Sequence, residues 1–102
     1  MIAAELFFKP KYTEIWNKHT LKRAYYQVCT DSRVYKEDWV FLAIKGERHD
    51  PFKYAEPLLG QLPLIIFQAT TENINLAKNW SVKFPQTIFL AVEDTEKKKE
   101  IW

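Results

Sequence analysis

Glycine is scarce in this chain, which has only Gly46 and Gly60 among its 102 residues. The phosphate-binding loops of nucleotide-binding folds need several glycines at fixed spacing, because the backbone must turn tightly and approach the phosphate groups closely. Neither a GxxxxGK[ST] loop nor a GxGxxG turn is present. The sequence therefore contains no recognisable phosphate-binding loop of either kind.

Cysteine and histidine are almost as scarce. Cys29 is the only cysteine, which excludes an internal disulfide and a cysteine-based zinc site and favours a reducing, cytoplasmic location. His19 and His49 are far apart in the sequence, and neither has a second metal ligand at helical or hairpin spacing. A GxSxG nucleophile turn is also absent. We therefore expect no metal, no cofactor and no catalytic residue in this chain.

The chain also lacks a large excess of charge and a long apolar run. Its net charge of +2 argues against nucleic-acid binding as the main function, and the basic run Lys97 to Lys99 is typical of a solvated helix face. The apolar stretch Leu58 to Ala69 is interrupted by Gly60, Gln61 and Pro63, so it does not predict a membrane span. We expect a cytoplasmic domain without nucleic-acid or membrane partners.

Apolar residues make up 47% of the sequence, which is typical of a folded domain. The segment Met1 to Arg23 predicts only a short helical or irregular cap. The later segments alternate between extended and helical patterns. Strands are predicted at Ala24–Cys29, Trp39–Ile44, Leu62–Phe67 and Thr87–Val92, and helices from Asp50 (bent near Ala55, with Tyr54 inward), from Thr70 to Pro85, and from Glu96 to Trp102.

This alternation predicts an α/β fold: one three-layer domain spanning residues 1–102, with a mostly parallel, possibly mixed sheet. Ligands of such sheets bind beyond the carboxyl ends of the strands. The segments that follow the predicted strands are all polar, and they are Cys29–Arg33, Lys45–Asp50, Gln68–Thr71 and Glu93–Thr95. We therefore expect a ligand site at that edge, with Gly46 free to adopt a positive φ where the second strand ends.

Several short motifs in the chain resemble the N-terminal domain of the Mur ligases, the ATP-dependent enzymes that extend the peptide of the peptidoglycan precursor. The resemblance covers roughly Gln27 to Lys98, and its Lys-Gly-Glu-Arg motif is most similar to the members that add D-alanyl-D-alanine. The motifs are Thr30-Asp31-Ser32-Arg33, Phe41-Leu42-Ala43-Ile44, Lys45-Gly46-Glu47-Arg48 with Asp50, Gly60-Gln61 with Leu64–Phe67, and Val92-Glu93-Asp94-Thr95.

The resemblance implies that the chain binds the UDP end of a UDP-N-acetylmuramoyl peptide. ATP and Mg²⁺ would bind only in a central domain that this chain lacks, and we expect the natural protein to continue beyond Trp102. The implied substrate contacts are Thr30 and Ser32 at the uridine diphosphate, and the loop Glu47, Arg48 and His49 near the uracil. From its own chemistry, Arg33 or Arg48 is expected to add charge-assisted hydrogen bonds to the diphosphate. Asp31, Gly46 and Asp50 are predicted to shape the turns and helix starts.

Three departures from the family pattern leave an alternative open. Asp38-Trp39 stands where the family has Gly-Asp, Asp50-Pro51-Phe52 where it has Asp-Gly-His, and Gly60-Gln61 where it has Gly-Ala. A stand-alone adaptor that kept the fold and lost the ligand is therefore the competing hypothesis. Simpler interpretations also remain for single residues: Asp31 and Ser32 as a turn, Arg33 as the partner of a nearby carboxylate, and His49 as a solvated loop residue.

Overall fold

The computed structural model describes residues 2–8, 12–36 and 38–101, with only the backbone described at residues 99–101. These residues form seven strands, two α-helices and several short 3₁₀ helices. The strands are β1 (Ile2–Ala3), β2 (Glu14–Trp16), β3 (Ala24–Tyr25), β4 (Val28–Cys29), β5 (Val40–Leu42), β6 (Leu64–Gln68) and β7 (Ile88–Val92), and the helices are α1 (Thr71–Lys83) and α2 (Thr95–Ile101).

Five of these strands form one mixed sheet in the order β2-β7-β6-β5-β4. The four strands β4 to β7 are parallel, and β2 pairs with β7 in the antiparallel direction, with Glu14 opposite Ala91. The predicted α/β class with a mostly parallel, possibly mixed sheet is confirmed. Because β4 to β7 run in the same direction, the four polar segments that follow them meet at one edge, here called the carboxyl edge.

Both faces of the sheet are buried, which explains the uninterrupted apolar runs of its strands. Alternate residues point to opposite faces, so Phe41 and Phe67 pack on one side, while Leu42 and Ile66 pack on the other. The first face is covered by α1 and by the 3₁₀ helices of residues 51–58, through Phe52, Leu59 and Trp80 among others. The second face is covered by the N-terminal segment, through Ala4, Phe7 and Tyr25.

The N-terminal third differs from the sequence prediction. A 3₁₀ helix occupies Ala4–Phe8, but β2 is a true edge strand of the main sheet rather than part of an irregular cap. The strand predicted over Ala24–Cys29 is two strands: β3 pairs with β1 in a separate two-stranded sheet, and only β4 joins the main sheet. Strand β2 has only three residues, Glu14–Trp16, and it is stabilised by pairing with β7, which is distant in sequence. A strand this short carries no recognisable sequence pattern of its own.

Residues 51–58 also depart from the expected single helix. They form two 3₁₀ helices, Pro51–Tyr54 and Glu56–Leu58, which are separated at Ala55, where the sequence predicted a bend. Pro57 has no backbone N–H to donate, which prevents a continuous α-helix here. The prediction that Tyr54 faces inward is wrong, since its side chain is 71% exposed.

The remaining predicted elements are confirmed, with bounds that differ from the predicted ones by no more than two residues. Helix α1 begins after Thr70, whose hydroxyl accepts a hydrogen bond from the backbone N–H of Asn73 at 3.1 Å. Helix α2 follows Asp94, whose carboxylate accepts a hydrogen bond from the N–H of Glu96 at 3.0 Å. The predicted last residue of this helix, Trp102, lies outside the described residues. Within the described part of the chain, no helix has the length and apolar character needed to cross a membrane.

Candidate ligand site at the carboxyl edge

Two of the predicted ligand residues line the same pocket at the carboxyl edge. Ser32 follows β4 and His49 follows β5, and the parallel pairing of these strands brings their loops together. The pocket has a volume of about 190 Å³. We call it the carboxyl-edge pocket, and its lining residues are Ser32, Phe41, His49, Pro51, Tyr54, Ala55 and Leu58.

Aspartate caps hold both walls of this pocket in place. The carboxylate of Asp31 accepts a hydrogen bond from the backbone N–H of Arg33 at 2.9 Å and begins the 3₁₀ turn Ser32–Val34. The carboxylate of Asp50 accepts one from the N–H of Phe52 at 3.1 Å and begins the 3₁₀ helix Pro51–Tyr54. Asp31 and Asp50 therefore lie at the turn and at the helix start where the sequence predicts them.

Aromatic rings form the outer wall of the carboxyl-edge pocket. The His49 imidazole lies parallel to the Tyr54 ring, with centroids 5.6 Å apart and planes at 10°. Both side chains are exposed, so this stacked pair presents ring edges and faces to an incoming molecule. The apolar floor is provided by Phe41, Ala55 and Leu58.

Arg33 is placed beside a carboxylate instead of in the pocket. Its Nε lies 3.0 Å from Asp31 Oδ1 and its Nη2 lies 2.9 Å from Asp31 Oδ2. These hydrogen bonds lower the pKa of Asp31 and raise that of Arg33 from their ordinary values. The Arg33 side chain is 87% exposed, so the ion pair lies at the surface and is stabilised by its bidentate hydrogen bonds instead of by burial. The phosphate role expected for Arg33 stays a prediction.

Thr30, Glu47 and Arg48 lie at the exposed surface of the same edge, outside the pocket lining. The loop that carries Glu47 and Arg48 is closed by a hydrogen bond from Gly46 N–H to the carbonyl of His49 at 2.8 Å. Gly46 therefore does shape a turn, but the expected positive φ is wrong. A Cβ at Gly46 would lie 3.4 Å from the carbonyl oxygen of His49, so the requirement for glycine here is steric and mild.

A polar network beneath the edge joins its loops, and sequence reasoning did not find most of it. Asn73 Nδ2 donates to Asp50 Oδ2 at 2.8 Å and to the carbonyl of Gln68 at 3.0 Å. The hydroxyl of Thr95 accepts from Lys45 N–H at 2.9 Å and lies 3.3 Å from Gln68 Oε1. These bonds connect the ends of β5 and β6 with the starts of α1 and α2. Single amide residues such as Gln68 and Asn73 carry no motif, so only the fold reveals them.

The chemistry of the pocket suits a planar ring with polar edges. It offers the hydroxyl of Ser32, the imidazole of His49, the exposed phenol of Tyr54 and an apolar floor. Its volume is below the range of about 300–1,000 Å³ usual for small-molecule sites, so a larger ligand would extend along the open edge past Thr30 and Arg48. Among the described residues, no group of three or more His, Cys, Asp or Glu side chains is arranged to hold a metal ion.

Comparison of the chain with known proteins found no matching family model, no matching curated protein and no matching solved structure. The resemblance to the Mur ligases is therefore carried by the sequence motifs alone.

Proposed function

We propose that the chain binds the uridine end of a UDP-N-acetylmuramoyl peptide, as the substrate-binding domain of an ATP-dependent ligase of peptidoglycan synthesis. The observation that carries the proposal is that Ser32, which belongs to the first motif of the resemblance, and His49, which directly follows the Lys-Gly-Glu-Arg motif, line one pocket. The two residues are separated in sequence by the whole of β5, and the parallel pairing of β4 with β5 brings them together.

The contents of the pocket agree with a pyrimidine ring as the buried group. Uracil is planar, so it stacks favourably on an exposed aromatic pair such as His49 and Tyr54. Its carbonyl and N–H groups need hydrogen-bond partners, and the Ser32 hydroxyl supplies both a donor and an acceptor. The ribose and diphosphate would then lie along the open edge, where Thr30 offers a hydroxyl and Arg48 offers a cation.

The departure at Pro51-Phe52 is compatible with this role. Asp50 still begins the helix in the family position, and Phe52 is fully buried against Phe67, with ring centroids 4.0 Å apart. The side chain that replaces the family histidine therefore supports the pocket wall from beneath. In the proposal, activation of the peptide carboxylate with ATP and Mg²⁺ belongs to a separate central domain.

The variant His49→Ala tests the pocket assignment. We expect it to weaken binding of UDP-N-acetylmuramoyl tripeptide by about 5- to 30-fold, which corresponds to about 1–2 kcal/mol of lost stacking and hydrogen bonding. The measurement is calorimetric titration of the full chain. His49 is exposed, so thermal unfolding of the variant should match that of the unaltered chain.

His19→Ala is the matched control, because it removes the other exposed histidine, which is not among the residues that line the pocket. Equal affinities for the His49→Ala and His19→Ala chains would count against the carboxyl-edge pocket. Absence of binding by the unaltered chain, together with stable capture of a partner protein, would instead favour the adaptor hypothesis.

A further inference from the structure

A second, larger groove lies at the opposite ends of the same strands. Tyr26 precedes β4 and Trp39 directly precedes β5, so both mark the amino ends of these parallel strands. The groove has a volume of about 450 Å³, within the range usual for small-molecule sites. We call it the amino-edge groove, and its lining residues are Lys22, Ala24, Tyr25, Tyr26, Lys36, Asp38 and Trp39. It shares no lining residue with the carboxyl-edge pocket.

An aromatic pair forms one wall of the amino-edge groove. The rings of Tyr26 and Trp39 have centroids 6.4 Å apart and planes at 13°. Tyr26 is 62% exposed, although removing an aromatic ring from water is energetically favourable. The backbone fixes the pair in place, because Val40 N–H donates to the carbonyl of Gln27 at 2.9 Å between the two strands. The pair is therefore a preformed stacking surface for a flat molecule.

A tight turn places a cation beside these rings. Trp39 N–H donates to the carbonyl of Lys36 at 3.2 Å, and Asp38 within this turn has a φ of 71°. The turn brings the Lys36 ammonium to 5.7 Å from the centroid of the Trp39 ring. Aspartate adopts the left-handed conformation more readily than most residues other than glycine, so the turn that carries Lys36 forms without a glycine.

The charge around the groove selects an anion. Among the described residues that line the groove, Asp38 supplies one carboxylate, which lies 3.5 Å from the Lys22 ammonium, and Lys36 supplies a further positive charge. Lys22 also lines an adjoining cleft, whose described lining contains Lys18 and Arg23 together with the carboxylate of Glu5. The described residues at this edge therefore carry more positive than negative charge, which favours an anionic ligand over an ammonium group.

We propose that the amino-edge groove binds a nucleoside phosphate, with the base stacked on Tyr26 and Trp39 and the phosphate held by Lys36. This is a site separate from the carboxyl-edge pocket, and it does not depend on the function proposed for that pocket. The same chemistry is offered by a free nucleotide and by a nucleotide within a single strand. The adjoining basic cleft would take a further phosphate in the second case.

The test is titration of the full, isotope-labelled chain with AMP, adenosine and a short single-stranded oligoadenylate, followed by NMR. A purine is used because the carboxyl-edge pocket is assigned to uracil. We expect AMP to shift the indole N–H signal of Trp39, identified with the variant Trp39→Phe. Tyr26→Ala is expected to weaken AMP binding about tenfold or more, and Lys36→Gln several-fold.

Two matched controls show whether the losses of AMP binding are specific to the amino-edge groove. Tyr54→Ala removes an exposed tyrosine at the carboxyl edge, and Lys78→Gln removes an exposed lysine on α1; neither should alter AMP binding. Tighter binding of oligoadenylate than AMP, with the same loss in Tyr26→Ala, supports the site and identifies a single strand as the source of the nucleotide.

Three results would overturn the proposal. One is the absence of AMP-dependent shifts at Tyr26 and Trp39 in the folded, unaltered chain. Another is equal affinity for adenosine and AMP together with no effect of Lys36→Gln, because the anionic half of the site would then be wrong. The third is a loss in Tyr54→Ala as large as that in Tyr26→Ala, because the nucleotide would then be bound at the other edge.

Discussion

Replacement of Phe67 by alanine is expected to lower the free energy of unfolding by about 3–5 kcal/mol. Phe67 lies fully buried in β6, and its ring stacks on Phe52 with centroids 4.0 Å apart. It also stacks on Trp16 of β2 at 6.1 Å, and Phe52 in turn meets Trp80 of α1 edge-on at 5.2 Å. Removal of this ring leaves a cavity between three elements that cannot all collapse into it.

Chemical denaturation measured by circular dichroism checks this expectation. Phe67→Leu keeps most of the volume and is expected to cost less than half as much as Phe67→Ala. Val82→Ala is the surface control, because Val82 is 82% exposed on α1 and its change should stay within about 0.5 kcal/mol. A Phe67→Ala chain as stable as the Val82→Ala chain would contradict the aromatic core described here.

The same substitution links the core to the carboxyl-edge pocket. Phe52 lies between Pro51 and Tyr54 in sequence, and these two residues line the pocket. Loss of the Phe67 ring removes the surface on which Phe52 stacks. We therefore expect ligand affinity to fall in Phe67→Ala even where the chain remains folded.

Replacement of Asp50 by alanine is expected to lower the free energy of unfolding by about 2–4 kcal/mol. The Asp50 side chain is buried and makes two hydrogen bonds, one to the N–H of Phe52 and one to Asn73 Nδ2. Loss of a helix cap costs about 0.5–2 kcal/mol, and a buried donor left without its partner costs about 1–3 kcal/mol. Asn73 is fully buried, so water cannot readily replace the lost carboxylate.

Asp94→Ala is the matched control for Asp50→Ala. Asp94 also caps a helix, through a hydrogen bond from Glu96 N–H at 3.0 Å, but that bond lies at the surface. We expect Asp94→Ala to cost about 0.5–1 kcal/mol in the same denaturation experiment. Equal losses for the two variants would show that the buried bond between Asp50 and Asn73 adds nothing to stability.

Sequence patterns were sufficient for the three central strands of the sheet. The strands β5, β6 and β7 have continuous apolar runs, and α1 has a threonine cap and a proline after its end, so local signals agree with the fold. The edge strand β2 could not be found in this way. Its three residues are extended because they pair with β7, and that contact joins Glu14 to Ala91 across most of the chain.

The ligand roles of Ser32 and His49 are implied by the resemblance and stay predictions. Their meeting at one edge was predictable, because loops that follow neighbouring parallel strands lie at the same edge of the sheet. The exposure of Tyr54 was not predictable from α-helical spacing, because its segment forms a 3₁₀ helix, which has a different rotation per residue. The amino-edge groove could not be predicted, because Tyr26 and Trp39 both belong to predicted strands, and an aromatic residue gives the same sequence pattern whether it packs in a sheet or lines a groove.

The most direct test of the central claim is NMR titration of the labelled chain with UDP-N-acetylmuramoyl tripeptide. We expect saturable shifts of the backbone signals of residues 30–33 and 46–49, with the Tyr54 ring signals moving at the same ligand concentrations. Signals of Tyr26 and Trp39 at the opposite edge should move little. Saturable binding that leaves residues 30–33 and 46–49 unchanged, or no binding at all by the folded chain, would contradict it.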